Sequence, residues 1–229
     1  FYMHTNKGAE DFKIDKTNDI SFVKWESYIP AKDETLIGGL TFLNNWIIRS
    51  EVTNALGKIF VKNLKNEKEE ELIFSDEKVF DGGVSLVQKD KNTDLVHISY
   101  STPKTQSRVY LYNLKSKEKK LVKEQIIPSG HNPDDYIVER FDCESHDGRK
   151  VPITITRHKK TNIDGNANLL LYGYGSYGNS MSPSFSSTRL SLVNRDIIWV
   201  TAHIRGGLER GMKWWKEGKL LNKKNTFED

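Results

Sequence analysis

The residues best suited to chemistry lie in the stretch from Leu169 to Tyr177, which reads Leu-Leu-Leu-Tyr-Gly-Tyr-Gly-Ser-Tyr. An apolar run with the length of a buried strand ends here in alternating glycines and tyrosines. This pattern predicts a strand that enters a tight turn with phenols at its exit. Strand ends followed by glycine turns are where α/β proteins often keep their chemistry, so this stretch is the candidate functional site.

This stretch partly matches two well-known motifs, but the neighbouring sequence lacks what each motif requires. Gly173, Gly175 and Gly178 match G-x-G-x-x-G, which binds a pyrophosphate where a helix begins at the third glycine. The segment 179–187 is rich in serine and contains a proline, so no helix is predicted at that point. Ser176 has a tyrosine where the G-x-S-x-G nucleophile motif needs a glycine. We therefore expect no dinucleotide site, and we interpret Ser176 as a turn residue.

A parallel α/β sheet is expected to position the stretch. The apolar strand over 169–172 is followed by a short helix over 186–194, with Leu190 and Val193 facing inward, and by a second apolar strand over 197–201. Strand, helix and strand in this order are typical of a parallel sheet.

Two histidines near these elements are interpreted as structural. His203 lies just past the strand over 197–201, where a single histidine is more often a hydrogen-bonding group than a catalyst. His146 and Asp147 occupy the predicted turn of a hairpin whose strands are 136–143 and 151–157. Adjacent residues on a turn point apart, so a catalytic dyad is not expected there.

The first half of the chain contains a repeat of about fifty residues. Lys58 to Lys65 aligns with Arg108 to Lys115, and the segment 12–15 matches the same pattern near the start of the chain. Several short strands with such a period are typical of β-propeller blades, each of which stacks on a neighbour to bury its faces. An open β-meander is the alternative. The strand-like runs that accompany the two aligned segments are 46–50, 71–74, 95–100 and 120–122.

Composition excludes several functional classes. The chain has 229 residues, 36% hydrophobic and 29% charged, with a formal net charge of +4. Its lysines are interleaved with glutamates, whereas a nucleic-acid surface needs one-sided positive charge. A single cysteine, Cys143, excludes an intrachain disulfide and favours a reducing, cytoplasmic location. No apolar run reaches the ~18 residues needed to span a bilayer, so neither membrane nor nucleic-acid binding is expected.

Five short motifs follow one another between residue 172 and residue 229. In order, they are YGYGSYG (172–178), FSSTRLSL (185–192), AHIRGG (202–207), WWKEGKL (214–220) and KKNTFED (223–229). This series resembles that of the prolyl oligopeptidase family of serine peptidases, and more closely its oligopeptidase B branch. The resemblance implies a fold in which incomplete β-propeller blades precede the start of an α/β-hydrolase domain. It implies terminal blades over 1–128 and the N-terminal part of the peptidase domain over 129–229.

The resemblance implies hydrolysis of short peptides, after basic residues, without a metal or other cofactor. It assigns Tyr174 the role of oxyanion donor and places Tyr177 in the substrate pocket. The family's nucleophile follows the segment that matches 225–229, so the Ser, Asp and His of the triad are not expected among these residues. The chain is then a fragment that is inactive alone, or one half of a split peptidase whose partner chain carries the triad. A non-catalytic interaction protein of the propeller type is the remaining alternative.

Overall fold

Four sheets contain the fifteen strands of the chain. The structure is a computed structural model that describes residues 1–229. None of its helices has the length and apolar character needed to cross a membrane. The strands are β1 (Tyr2–Thr5), β2 (Lys13–Lys16), β3 (Glu26–Ile29), β4 (Thr35–Phe42), β5 (Trp46–Thr53), β6 (Leu56–Asn63), β7 (Glu69–Glu71), β8 (Asp81–Leu86), β9 (Leu95–Ser101), β10 (Arg108–Asn113), β11 (Lys119–Glu124), β12 (Tyr136–Glu144), β13 (Lys150–His158), β14 (Asn168–Tyr172) and β15 (Ile197–Ala202). The helices are α1 (Ser187–Val193), α2 (Gly211–Lys216) and α3 (Lys224–Glu228), with short 3₁₀ turns at Pro133–Asp135 and Leu220–Asn222.

The first three sheets are antiparallel meanders, as expected for propeller blades. They have the orders β1-β2-β3, β4-β5-β6-β7 and β8-β9-β10-β11, which corresponds to one partial and two full repeat units. The two aligned segments of the repeat form β6 and β10, each the third strand of its sheet. One predicted run was misplaced: the outer strand of the second sheet is β7, so residues 72–74 lie beyond it. Phe74 instead enters the core, where it is buried.

The first strand of each full unit, β4 and β8, was not predicted from the sequence. Both strands contain a pair of glycines, which weakens the apolar alternation by which strands are recognised. Close packing explains two of these glycines. A Cβ at Gly38 would overlap the side chain and carbonyl of Ser50, and a Cβ at Gly82 would lie 2.8 Å from the carbonyl oxygen of Ser99.

The second and third sheets share one hydrophobic core. Its members come from both sheets, so neither sheet buries its inner face without the other. The Trp46 indole also donates a hydrogen bond of 2.7 Å to the Asp94 carboxylate, which links the first sheet of the pair to the loop before β9. The buried core residues are Leu43, Trp46, Ile48, Ile59, Val61, Phe74, Val96, Ile98, Tyr100, Tyr112 and Leu114.

The fourth sheet has the order β12-β13-β15-β14 and is mixed. Strands β14 and β15 pair in parallel, as predicted, whereas β12 with β13 and β13 with β15 are antiparallel. The expectation of a parallel sheet was therefore correct for one strand pair only. The predicted hairpin over β12 and β13 is confirmed, and α1 buries Leu190 and Val193 as predicted.

Strand β14 is not the buried strand that its apolar sequence suggests. It lies at the edge of the fourth sheet with β15 as its only neighbour. Leu169 and Leu171 are 56% and 65% exposed. A continuous apolar run does not reveal which of its faces are covered, and α1 packs on β13 and β15 instead.

Candidate functional site

Two phenols lie at the exit of β14, as the sequence predicts. We call residues 173–178, which follow this strand, the strand-exit loop. Tyr174 is 41% exposed and Tyr177 is 86% exposed, so both side chains are accessible to a ligand. Tyr174 is therefore not a core residue.

Glycines allow the strand-exit loop to pack directly on the loop that follows β15. A Cβ at Gly175 would overlap the Thr226 side chain, and a Cβ at Gly206 would overlap the carbonyl of Gly175. The amide of Gly178 donates a hydrogen bond of 2.9 Å to the carbonyl of Gly206. The glycines of the G-x-G-x-x-G match therefore serve backbone packing, and the next helix begins only at Ser187.

Ser176 has the structural role predicted for it. Its hydroxyl accepts a hydrogen bond of 2.9 Å from the Lys223 ammonium, which also donates to the carbonyl of Gly175 at 2.5 Å. Lys223 precedes α3 and lies far from the loop in sequence. The strand-exit loop is thus held from two sides, by the loop after β15 and by the start of α3.

A buried ionic group beneath the site was not recognised from the sequence. The guanidinium of Arg205 contacts both carboxylate oxygens of Asp229, with Nη2 to Oδ1 at 2.5 Å, and its Nη1 lies 2.6 Å from Asp147. Burial alone lowers the pKa of Arg205, but the hydrogen bonds and charges of the two carboxylates outweigh burial and raise it. The same contact lowers the pKa of Asp147. The partners are so far apart in sequence that no local pattern marks them.

His203 is a structural group, as expected. It is 1% exposed, and its Nε2 lies 2.8 Å from the hydroxyl of Thr154. Burial, together with the positive charge of Arg140, lowers the pKa of His203 to about 3. The imidazole is therefore neutral at neutral pH and has no access to solvent.

The side chains of His146 and Asp147 have different partners, which agrees with the prediction that they form no dyad. His146 Nε2 lies 3.2 Å from Glu228, whereas Asp147 binds Arg205. Ser145 contacts His146 Nδ1 at 3.2 Å, but its hydroxyl also donates to Asp229 at 2.8 Å. Because Ser145 is buried and its proton is directed to a carboxylate, the geometry does not make it a nucleophile.

Residues of the blade region contact the start of α2 and the β12–β13 turn through charged groups. Glu34, in the turn before β4, binds Arg210 at 2.5 Å and Arg149 at 3.5 Å. The carboxylate of Asp11 accepts a hydrogen bond of 2.5 Å from the Met212 amide, in the first turn of α2. Trp214 on the same helix is fully buried and belongs to the hydrophobic core of the fourth sheet.

A buried carboxyl group, Glu209, lies at the same junction and was also missed by the sequence analysis. Its side chain accepts a hydrogen bond of 2.9 Å from the Met181 amide, and its carbonyl accepts one of 2.7 Å from Ala55 in the β5–β6 turn. Burial raises the pKa of Glu209 to about 7. The loop between β15 and α2 thus contacts both the blades and the segment between β14 and α1.

Comparison with known proteins agrees with this architecture. The profile of the prolyl oligopeptidase N-terminal beta-propeller domain matches residues 1–125, and that of the prolyl oligopeptidase family matches residues 183–229. Dipeptidyl aminopeptidase BI from Pseudoxanthomonas mexicana is 35% identical over 97% of this chain and 31% of its own length. Protease 2 from Moraxella lacunata is 31% identical over 98% of this chain and 32% of its own length.

A solved structure gives the same result. Oligopeptidase B from Trypanosoma brucei, in a closed form with covalently bound antipain, superposes with a TM-score of 0.88 at 30% identity. The superposition covers 100% of this chain and 35% of that one. The chain thus spans about a third of the length of the relatives it matches. The blade meanders, the start of the hydrolase sheet and these matches together show that the chain belongs to the prolyl oligopeptidase family.

Proposed function

We propose that this chain is part of a serine oligopeptidase that hydrolyses short peptides after basic residues, and that Tyr174 donates a hydrogen bond to the oxyanion. The observation that carries the proposal is the exposed Tyr174 phenol at the exit of β14, in a chain of this family. Residues 1–128 supply terminal blades of a propeller, and residues 129–229 supply the N-terminal part of the hydrolase domain.

The chemistry asked of Tyr174 is electrostatic. Attack on a peptide carbonyl places negative charge on its oxygen, and a fixed donor stabilises that charge more than it stabilises the substrate. A phenol on a packed loop supplies such a donor with little reorganisation. Tyr177, which is the more exposed of the two tyrosines, is proposed to contact the substrate.

The triad is proposed to come from polypeptide outside these 229 residues, because they contain no G-x-S-x-G motif. A separate chain that carries Ser, Asp and His is one source. On this proposal the 229 residues alone do not hydrolyse peptides. Cleavage after basic residues is proposed from the resemblance of the C-terminal motifs to the oligopeptidase B branch.

A substitution at Tyr174 tests the proposal in the assembly that carries the triad. Tyr174→Phe is expected to lower kcat on an arginyl chromogenic peptide by about 10²- to 10³-fold. Tyr172→Phe is the matched control, since this tyrosine lies two residues earlier and packs on Trp199. Equal rates for the two variants would contradict the role of Tyr174, and turnover by the pure 229-residue chain would contradict its proposed inactivity.

A non-catalytic interaction protein is the second candidate. It is favoured by the shared core of the second and third sheets, which closes without any residue of the fourth sheet. This candidate predicts that no activated serine accompanies the chain.

A further inference from the structure

The ammonium group of Lys223 donates hydrogen bonds to the strand-exit loop. Its Nζ donates to the carbonyl of Gly175 at 2.5 Å, to the hydroxyl of Ser176 at 2.9 Å and to the hydroxyl of Thr226 at 3.3 Å. These three acceptors match the three N–H groups of a lysine ammonium. An exposed lysine would remain hydrated or pair with a carboxylate, so this arrangement fixes backbone geometry instead.

The loop that Lys223 binds has a backbone that needs support. Gly175, Tyr177 and Gly178 have φ values of +59°, +57° and +69°, all in the left-handed region. For a tyrosine this conformation is unfavourable, and such residues persist where surrounding contacts hold them. The loop therefore depends on contacts from outside itself.

Those contacts form a clamp around Gly175. A Cβ at Gly175 would overlap the Thr226 side chain, and a Cβ at Gly206 would overlap the Gly175 carbonyl. Lys223 donates to the same Gly175 carbonyl. The Thr226 hydroxyl in turn donates to the carbonyl of Arg205 at 2.8 Å, which ties the clamp to the loop after β15.

We propose that Lys223 is a positioning residue that sets the place of the Tyr174 phenol through the Gly175 carbonyl. The proposal rests on the proposed role of Tyr174 as oxyanion donor. Such a donor must lie about 2.7–3.1 Å from the oxyanion, and a displacement of about 1 Å lowers the rate by about 10²-fold. Tyr174 and Gly175 share a peptide bond, so movement at Gly175 is transmitted directly to the phenol.

Amide exchange in the 229-residue chain tests the clamp without any need for turnover. The amides of Gly178 and Asn179 report on it, because they donate within the loop region to Gly206 and Ser176. Lys223→Met is expected to speed exchange of these two amides by about tenfold or more, with no change in β13. Lys223→Arg is expected to restore slow exchange.

Lys224→Met is the matched control, since the neighbouring Lys224 side chain is 81% exposed and contacts Glu228. It is expected to leave the amides of Gly178 and Asn179 unchanged. A 3-fluorotyrosine at position 174 supplies the second readout: its ¹⁹F resonance should shift or broaden in Lys223→Met and return in Lys223→Arg. Should Lys223→Met fail to fold, Lys223→Gln, which is too short for all three contacts, takes its place.

Unchanged exchange and an unchanged ¹⁹F resonance in Lys223→Met would overturn the proposal. The assay separates this failure from failure of the proposed function. If Tyr174→Phe leaves turnover intact while Lys223→Met loosens the loop, the oxyanion role is wrong and the clamp stands. If Tyr174→Phe lowers kcat and Lys223→Met leaves the loop ordered, the clamp is wrong and the oxyanion role stands.

Discussion

The paired blade sheets and the fourth sheet bury their apolar side chains in different ways. The sheets β4–β7 and β8–β11 cover each other, and eleven buried residues form their common core. The fourth sheet has two smaller clusters, of six and three buried residues, and leaves the leucines of β14 exposed. It adds the buried ionic group around Arg205. A repeat supplies its own neighbour, whereas a sheet built from unlike elements depends on specific polar contacts and on whatever covers its remaining face.

Removal of the buried Arg205 side chain should give the largest loss of stability. It tests whether the fourth sheet depends on its buried ionic group. Arg205→Met leaves Asp229 buried without its cation, which is expected to lower the free energy of unfolding by about 3–5 kcal/mol. Urea denaturation measures it. Arg195→Met, at an exposed position, is the control and should change the free energy by less than about 0.5 kcal/mol. A loss below about 1 kcal/mol for Arg205→Met would show that the ionic group does not support the fourth sheet.

Truncation in the shared blade core should come next. Ile98 is 1% exposed, and Ile98→Ala is expected to lower the free energy of unfolding by about 2–5 kcal/mol through lost burial and a cavity. The same measurement on Leu171→Ala, at an exposed position of β14, should show a change within about 0.5 kcal/mol. Similar losses for both would remove the contrast between the sheets.

The pH dependence of stability sharpens the comparison at the junction of the two regions. The pKa of Glu209 is about 7 in the folded chain and 4.5 without the fold. Between these values the folded chain binds a proton that the unfolded chain has released, so this group lowers stability as pH rises from 4.5 to 7. Glu209→Gln is therefore expected to raise the free energy of unfolding by about 3 kcal/mol at pH 8 and by less than about 1 kcal/mol at pH 5.

His203 acts in the opposite direction over a lower pH range. Its folded pKa of about 3 lies below the ordinary 6.5, so the unfolded chain binds the extra proton and stability rises as pH increases from 3 to 6.5. Denaturation of the wild type and Glu209→Gln at pH 5 and pH 8 separates the two groups. An equal gain at both pH values would contradict the assignment to Glu209, and Glu26→Gln, at an exposed position, serves as control.

The smallest stability change is expected at the open face of β14. Replacing Leu169 and Leu171 by threonine keeps β propensity and removes exposed apolar surface. The free energy of unfolding should change by less than about 0.5 kcal/mol per site, while aggregation measured by light scattering should fall. A large loss of stability would mean that this face is covered in solution.

The sequence was informative where one local pattern determines one structure. The repeat of about fifty residues, which aligns β6 with β10, identified the blades, and the apolar run before Gly173 located the candidate site. The strands β4 and β8 were not predicted, because their glycines interrupt the apolar alternation. These glycines are needed for close packing on neighbouring strands, which the local sequence does not show. The exposure of β14 and the contacts of Arg205 and Lys223 also depend on residues distant in sequence, so no spacing within one element predicts them.

The most direct test of the proposed peptidase function is the search for an activated serine in material that contains this chain. The chain would be isolated gently from the cells that make it and treated with a fluorophosphonate probe, which labels reactive serines. We predict a labelled polypeptide that travels with residues 1–229 and whose peptidase activity falls in Tyr174→Phe. Absence of any labelled species would contradict the proposed peptidase function and favour the non-catalytic interaction protein.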